Sequence, residues 1–532
     1  MARRTRSVRT SALDVVVCLL TAATIGGLAV ARGGYDPFIA GSAALVMLWY
    51  LAVGLAFTRR ADVCALDMAM LGCIICFLAW KAGSYIWSID PAQTVREAQR
   101  DLVVLASATA LILLTRRYNA VAVLAGVAGA CTLISTVAVV GWLSDDASAI
   151  LGIRGPLGYS NALGLLAGMG LILALGFASA TTLASHTRFV AIGAASVLIL
   201  TIYLSASRGA LAALLTGAIA SVVAAGPSRK RAAGIVACVV ALAGAAILAG
   251  WMMTSSPRTG VAQSFAMRDG ATTVSPEPRL QFWSVALYSA SQRPIVGHGA
   301  GTFSRLWTQH RPVGTEGRDA HNLYIETLAE AGTVGLALLA STLAVPLIAT
   351  RRVRGHPYMS AAFGAYVAFL VHASVDVDWE VPATVVAALA CGVPLVATGR
   401  QSLRGFRVAT TSRIAAIAIV LALAAAEYTA LQGDAIMQQS RRVARVGALE
   451  AANTYATLAS AQRPWDGEVW LMLGEAALAR GDARLARNRL ARGIAADPHS
   501  WLLWSAMGRA TDGTDRLEAE RHAETLNPFG QP

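Results

Sequence analysis

As far as Leu431 the chain alternates between long apolar runs and short polar breaks. The apolar runs fall at 12–31, 37–57, 63–82, 102–115, 120–143, 162–184, 189–205, 210–225, 233–253, 333–350, 359–373, 383–398 and 414–431. A helix needs about 20 apolar residues to cross a bilayer, because every backbone polar group must be satisfied inside the segment. The pattern therefore predicts an all-α, polytopic membrane protein of about 13 transmembrane helices.

The polar breaks carry the orientation. Compact basic clusters occur in MARRTRSVRTS at the N-terminus, at Arg59-Arg60, Arg116-Arg117, Arg229-Lys230-Arg231 and Arg351-Arg352-Val353-Arg354, and in GRQSLRGFRVATTSR. Held on the cytoplasmic side, they make the spans alternate consistently. The basic start and first apolar run could suit a cleaved signal, but the second run follows almost at once, so the first is expected to be retained. On this topology the N-terminus is cytoplasmic. The stretches SYIWSIDPAQTVREAQRD, SDDASAILGIRGPLGYSN and SVDVDWEVP, a long loop over 254–332 and everything beyond the last span lie outside.

After Leu431 the apolar pattern gives way to a mixture of Arg, Ala and Trp. Pro464 and Pro498, Trp470 and Trp504, and Gly474 and Gly508 each stand 34 residues apart. WLMLGEAALARGDARLARNRLARGIAADP resembles a tetratricopeptide repeat, a helix pair that needs about three copies to bury a core. The expected organisation is a transmembrane domain over 1–432 and an extracytoplasmic helical-repeat domain over 441–532. The repeats would serve either as a docking surface for a protein or glycan partner or as a stabilising cap.

Composition agrees with the membrane assignment: 56% of residues are hydrophobic and 14% charged, against about 25% charged in soluble proteins. The net charge of +13 sits mostly in short loops between spans, where it sets topology, so no nucleic-acid partner is expected. All seven cysteines fall in expected spans. The CxxC of Cys73 and Cys76 lies in an apolar helix, where packing explains it better than redox or metal chemistry.

The longest polar interruption, over 278–335, holds Arg279, Arg293, Arg305, Arg311 and Arg318 together with His298, His310 and His321. An arginine-rich segment at the mouth of membrane helices suits an anionic substrate carried on a lipid. Other candidates share that face: Arg154 and Asn161 in RGPLGYSNALG, Arg208 in SASRGA, and His321-Asn322 in AHNLYIETLAEAG. Arg208 stands between two apolar runs, a costly place for a charge unless it snorkels or serves a ligand. His321 offers an imidazole that can take a proton near neutral pH, or it helps open the following helix. Glu326 and Glu330 would share a helical face with Asn322. VGHGAGTF reads as a turn or a backbone nest for phosphate. The cluster of His372, Asp376 and Asp378 suits a metal or an arginine, and an arginine is expected.

Together, RGPLGYSNALG, the Ser207-Arg208-Gly209 triplet, the loop opening RLQFW, PIVGHGAGTF and AHNLYIETLAEAGTVG resemble the O-antigen ligase and polymerase family of bacterial membrane glycosyltransferases, over roughly residues 60–400. The resemblance implies a GT-C-like helical fold. It also implies transfer of a glycan from an undecaprenyl-diphosphate carrier to a glycan, lipid or protein acceptor outside the cytoplasmic membrane, with no metal or other cofactor. It places Arg208 and Arg279 on the diphosphate and His321 as base. Arg154, Asn161, Asn322, Arg305, Arg311 and Arg318 then become candidate substrate-binding residues. The alternatives are a repeat-unit polymerase, an O-linked protein oligosaccharyltransferase, a lipid-glycan flippase or exporter, and a membrane scaffold. A transporter is expected to carry midplane charges and repeated halves, and neither stands out in this sequence.

The topology can be tested by single cysteines placed in a background lacking the native ones. Positions 279, 321 and 470 should react with an impermeant reagent on intact cells, and positions 229 and 352 should not. Labelling at 229 would overturn the assignment.

Overall fold

The computed structural model describes residues 11–57, 62–63, 65–115, 119–144, 153–225, 276–351, 356–399, 406–407 and 409–530. Among them are nineteen α-helices and one two-stranded bridge, Asp62–Val63 paired antiparallel with Phe406–Arg407. The expected span 233–253, most of the basic clusters and the loop up to 275 lie outside the described residues.

The membrane part comprises α1 (Ala12–Val30), α2 (Pro37–Phe57), α3 (Ala65–Gly83), α4 (Pro91–Leu114), α5 (Ala120–Ser144), α6 (Ser160–Ser179), α7 (Ser185–Ser205) and α8 (Arg208–Ala224). It continues in α9 (Pro276–Gln292), α10 (Phe303–His310), α11 (Leu323–Thr350), α12 (Pro357–His372), α13 (Pro382–Gly399) and α14 (Thr410–Arg445). Among the described residues, eight helices are long and apolar enough to cross a membrane and three apolar helices are shorter. The protein is a multi-pass helical membrane protein. Helix α6 lies at the centre, with nearly every residue from Ala162 to Phe177 buried. A helix apolar on all sides belongs in such a place. Around it pack α5, α7, α8 and α12.

Two expected boundaries move. Of the segment read as an outer loop before span 102–115, residues 91–101 are the first half of α4, with Asp90 capping the Gln93 amide at 3.0 Å and Pro91 in the first turn. Its charges do not end the helix because they are buried in pairs: Arg100 bonds Glu97 at 3.0 Å and also Glu380, while Lys81 reaches Asp101 at 2.9 Å. The last expected span, 414–431, is only the middle of α14, a helix of 36 residues and so about 54 Å long. The change of composition at Leu431 therefore falls inside a continuous helix.

Beyond α14 come α15 (Leu449–Gln462), α16 (Gly467–Ala479), α17 (Ala483–Ala496), α18 (Trp501–Ala510) and α19 (Gly513–Leu526). Neighbouring helices pack as hairpins, α16 on α17 and α18 on α19. Leu490 of α17 fills the space a side chain at Gly474 would need, since a Cβ there would meet it at 2.5 Å.

At the polar end of the bundle a small second core gathers Ile89, Phe282, Val285, Phe303, Leu306 and Trp307. Phe282 meets Trp307 edge-on, with ring centroids 4.5 Å apart. This core joins α9, α10 and the start of α11. The stretch PIVGHGAG then docks on α11 through backbone hydrogen bonds: His298 N–H to Ala329 O (3.1 Å), Gly299 N–H to Glu330 O (2.8 Å) and Thr333 N–H to Pro294 O (2.8 Å). Docking needs α11 to break at Gly332, where φ is 68° and ψ is −170°, a conformation nearly confined to glycine. A Cβ at Gly332 would lie 2.1 Å from the Ile295 carbonyl oxygen.

Gly332→Ala should therefore destabilise the protein by about 1–3 kcal/mol or more, measured by unfolding of the detergent-solubilised protein. Wild-type stability in that variant would show that the docked loop tolerates a side chain there.

Candidate active site

Ser207 caps α8 by accepting the Ala210 N–H at 3.2 Å, which places Arg208 in the first helical position. Arg208 is exposed and has no ion-pair partner among the described residues. Helix α12 packs along α8 and ends at His372, whose ring lies beside Gly209. The turn after α12 then delivers Asp376.

Asp376 is buried, and its carboxylate gathers three elements. Arg279 of α9 donates to it at 3.2 Å, Asn161 in the first turn of α6 at 2.6 Å, and the Tyr159 hydroxyl bonds it as well. The Asp376 carboxylate also accepts the Val377 N–H at 2.8 Å. Arg279 and Asn161 thus meet on this carboxylate, and the cluster of His372, Asp376 and Asp378 holds an arginine, as expected. Beside them, His372 Nδ1 bonds Asp378, and both side chains are fully buried. Arg154 stands exposed at the start of the 3-10 turn Gly155–Leu157, a few residues before Tyr159.

His321 joins this corner through two links. Its ring stacks on Phe282, one turn along α9 from Arg279, with centroids 5.6 Å apart and planes 17° from parallel. The Leu323 N–H donates to Ala373 O at 2.9 Å, tying the start of α11 to the end of α12. His321 adopts φ 55°, uncommon for a non-glycine residue and typical of sites where backbone strain serves a purpose. Its Nδ1 lies 3.1 Å from the Asp319 carbonyl oxygen. A carbonyl only accepts, so Nδ1 carries a hydrogen, and in the neutral ring Nε2 keeps the lone pair. Asn322 is buried and caps α11, accepting from the Tyr324 and Ile325 amides at 3.0 Å each.

Next to His321 is a cavity of about 310 Å³ lined by Gln93, Glu97, Arg318, Asp319, Glu326, Glu330 and Glu380, among others. Carboxylate oxygens of Asp319, Glu326 and Glu380 lie within 4.8 Å of one another. They have the donor chemistry to hold a cation, but Arg100 already pairs with Glu380, and Arg318 lines the cavity while covering the Tyr35 ring at 4.6 Å. Burial lifts the Asp319 carboxyl above the ordinary range. Burial likewise pushes Glu380 up to about 8, with Arg100 working against the shift and Glu97 adding to it.

The nest suggested by VGHGAGTF is filled from within. The Gly301 and Phe303 amides donate to Glu330 at 2.8 and 2.9 Å, so Glu330 occupies the place proposed for a phosphate. Arg305 and Arg311 also point elsewhere. Arg305 bonds Asp90 at 2.8 Å, Asp497, and the His499 carbonyl at 2.8 Å. Arg311 reaches Asn527 at 2.9 Å and covers the Phe529 ring. Both couple α10 to the C-terminal helices. Counting arginines in the loop could not reveal this, because their partners lie about 190 to 220 residues away in sequence.

With this geometry in view, residues 193–340 match the family model described as O-antigen ligase. The chain carries an O-antigen ligase domain. No curated protein matches the chain. The matched stretch holds Arg208, Arg279 and His321, whereas Asn161, His372, Asp376 and Asp378 lie outside it. The protein is therefore a membrane enzyme of the O-antigen ligase and polymerase type, glycosyltransferase-like and belonging to polysaccharide biosynthesis. The buried charges of α4, which lies outside the matched stretch, escaped sequence inspection, whereas Glu326 and Glu330 of α11 were expected to share a face with Asn322. The i, i+3 spacing of Glu97 and Arg100 was the available signal.

Arg305 and Asp497 should show a coupling of about 1–3 kcal/mol in a double-mutant cycle of Arg305→Ala and Asp497→Ala, read by unfolding. Additive effects would mean that the pair does not fasten α10 to the C-terminal helices.

Proposed function

We propose that the protein transfers a glycan from undecaprenyl diphosphate to an acceptor hydroxyl on the outer face of the cytoplasmic membrane. The observation that carries this reading is the orientation of His321. With Nδ1 held by the Asp319 carbonyl, Nε2 is free to accept a proton, next to the corner where Arg208 and Arg279 reside.

In the proposed step the acceptor hydroxyl gives its proton to His321 Nε2 and its oxygen bonds the anomeric carbon. The bond from that carbon to the diphosphate breaks, and the lipid diphosphate leaves with the electron pair. Arg208, with no protein partner among the described residues, offers its planar fork to the phosphate oxygens. Arg279, steadied by Asp376, presents a second guanidinium. Their charge opposes the charge growing on the leaving group, usually a large catalytic contribution. The carboxyl-lined cavity beyond His321 suits the hydroxyls of a sugar. The donor carries the energy of the bond, so no nucleotide is needed.

On this reading the N-terminus is cytoplasmic and the C-terminal helices are extracytoplasmic. They form a tetratricopeptide-like unit fastened over α10 by Arg305 and Arg311, and there they would influence the acceptor side. A repeat-unit polymerase would use the same residues, with a lipid-linked glycan as acceptor.

The test is reconstitution with defined lipid-diphosphate glycans and candidate acceptors. His321→Ala should lower turnover by about two to four orders of magnitude while leaving donor affinity nearly intact. Arg208→Lys should weaken both, because an ammonium lacks the fork. Near-normal turnover in folded His321→Ala would remove the base assignment and leave His321 as a helix-start residue.

A further inference from the structure

Helix α10 has two faces. Phe303, Leu306 and Trp307 enter the small second core, while the helical period puts Ser304, Arg305, Thr308 and Gln309 on the other side. That side meets the C-terminal helices. Arg305 fastens the meeting through Asp90, Asp497 and the His499 carbonyl. Beside this clamp a crevice of about 220 Å³ remains between α10 and the start of α18, with Ser304, Gln309, His499, Ser500 and Trp501 on its walls. Ser304 also borders the carboxyl-lined cavity next to His321, so the crevice continues that cavity along α10 toward the C-terminal helices.

The polar groups on these walls are uncommitted. The side chains of Ser304, Gln309, His499 and Ser500 bond nothing among the described residues, and their polar atoms stay accessible. Ser500 precedes α18, where a serine ordinarily caps the helix through its hydroxyl, yet it makes no such bond. Only 7% of the residue is exposed, and its hydroxyl is left for the crevice. The walls also carry no unpaired charge. Arg305 is neutralised by Asp90 and Asp497. Burial, aided by Arg305 and Arg293, keeps the His499 imidazole below its ordinary range, so near neutral pH it offers one donor and one acceptor. Trp501 adds an aromatic surface. Uncharged donors and acceptors beside an indole suit a sugar, with its hydroxyl edge and apolar C–H face, better than a phosphate.

We propose that the crevice between α10 and α18 is a sugar-binding subsite, which holds the outer part of an oligosaccharide acceptor whose reacting hydroxyl lies in the cavity next to His321. The proposal rests on the reading of His321 as the acceptor's base and adds to it the class of acceptor: a glycan of several neutral sugars, held jointly by the membrane domain and the C-terminal helices.

The test uses the full chain in nanodiscs, titrated with labelled neutral trisaccharides of glucose, galactose, mannose and rhamnose, with the corresponding monosaccharides, and with a serine- and threonine-rich peptide. At least one trisaccharide should bind, and more tightly than its monosaccharide. Ser500→Ala and Gln309→Ala remove groups that bond nothing in the protein, so each should keep the melting temperature and lose about two- to tenfold in trisaccharide affinity. Trp501→Leu should lose about tenfold. Monosaccharide binding should be the same in all three variants. With a lipid-diphosphate glycan as donor and an oligosaccharide as acceptor, the variants should raise the acceptor KM by more than they lower kcat, the mark of binding lost away from the bond being made.

If no trisaccharide binds, or all three variants bind it like the wild type, the inference is overturned, and the proposed function stands wherever the wild type still consumes the donor. If only the peptide binds, and its binding depends on Ser500 and Gln309, the crevice serves a protein and the inference is likewise overturned. If trisaccharide binding depends on the crevice but no lipid-diphosphate glycan is consumed, the proposed reaction falls and the crevice remains a sugar site. Should Trp501→Leu fail to fold, Ser500→Ala and Gln309→Ala decide by the same criterion.

Discussion

A polar loop at the mouth of a helical bundle has to be immobilised before its side chains can do chemistry, and here backbone exchange across Gly332 does that. The PIVGHGAG stretch gives amides to Ala329 and Glu330 and takes the Thr333 amide at Pro294. Those bonds exist only because α11 breaks at a glycine in a conformation closed to side chains. The break separates a short polar segment, Leu323–Ala331, from the apolar remainder of the helix. The histidine side of the site hangs from that segment. Asn322 caps it, His321 precedes it, and Glu326 and Glu330 turn inward from it to satisfy the amides of Ala320, Gly301 and Phe303.

The site is divided electrostatically. On one side Arg279 and Asn161 gather on the buried carboxylate of Asp376, with Asp378 beside it holding His372 and the start of α8 packed against that ring. On the other, five carboxyl groups line a cavity with Arg318, and Arg100 pairs with two of them, Glu97 and Glu380. His321 stands between, its ring fixed by Phe282 and the Asp319 carbonyl. A reaction that leaves charge on a phosphate and draws a neutral hydroxyl toward it fits such a division. In the proposed reaction the guanidiniums would meet the developing anion, and the cavity carboxyls not paired with Arg100, such as Asp319, whose carboxyl is lifted by burial, would be left to bond sugar hydroxyls.

The C-terminal helices take part in this arrangement. Arg305 is bonded to Asp90 at the start of α4 and to Asp497 between α17 and α18, and Arg96 meets Asp466 at 3.5 Å. Because α14 continues without a break into this region, the helices are held from below by a rigid rod and from the side by ion pairs. Half-buried pairs of this kind contribute to geometry more than to net stability.

The apolar runs alone determined that the chain is a helical membrane protein and where most of its spans lie, since a bilayer leaves the backbone few alternatives. Composition and motif order singled out the polar stretch and the residues Arg208, Arg279, Asn161 and His321. Their gathering came only with the tertiary structure. Asp376 is 97 residues from Arg279 and 215 from Asn161, and no local pattern encodes such a meeting. The same holds for Arg305 and Arg311, which look like substrate ligands until their C-terminal partners are seen. Buried charge was illegible for a related reason. In sequence the first half of α4 looks like a solvated loop, and only the packing of Lys81 and Glu380 around it shows that each charge is neutralised where it lies. Periodicity reports which residues avoid water; it cannot report which polar groups have found each other instead.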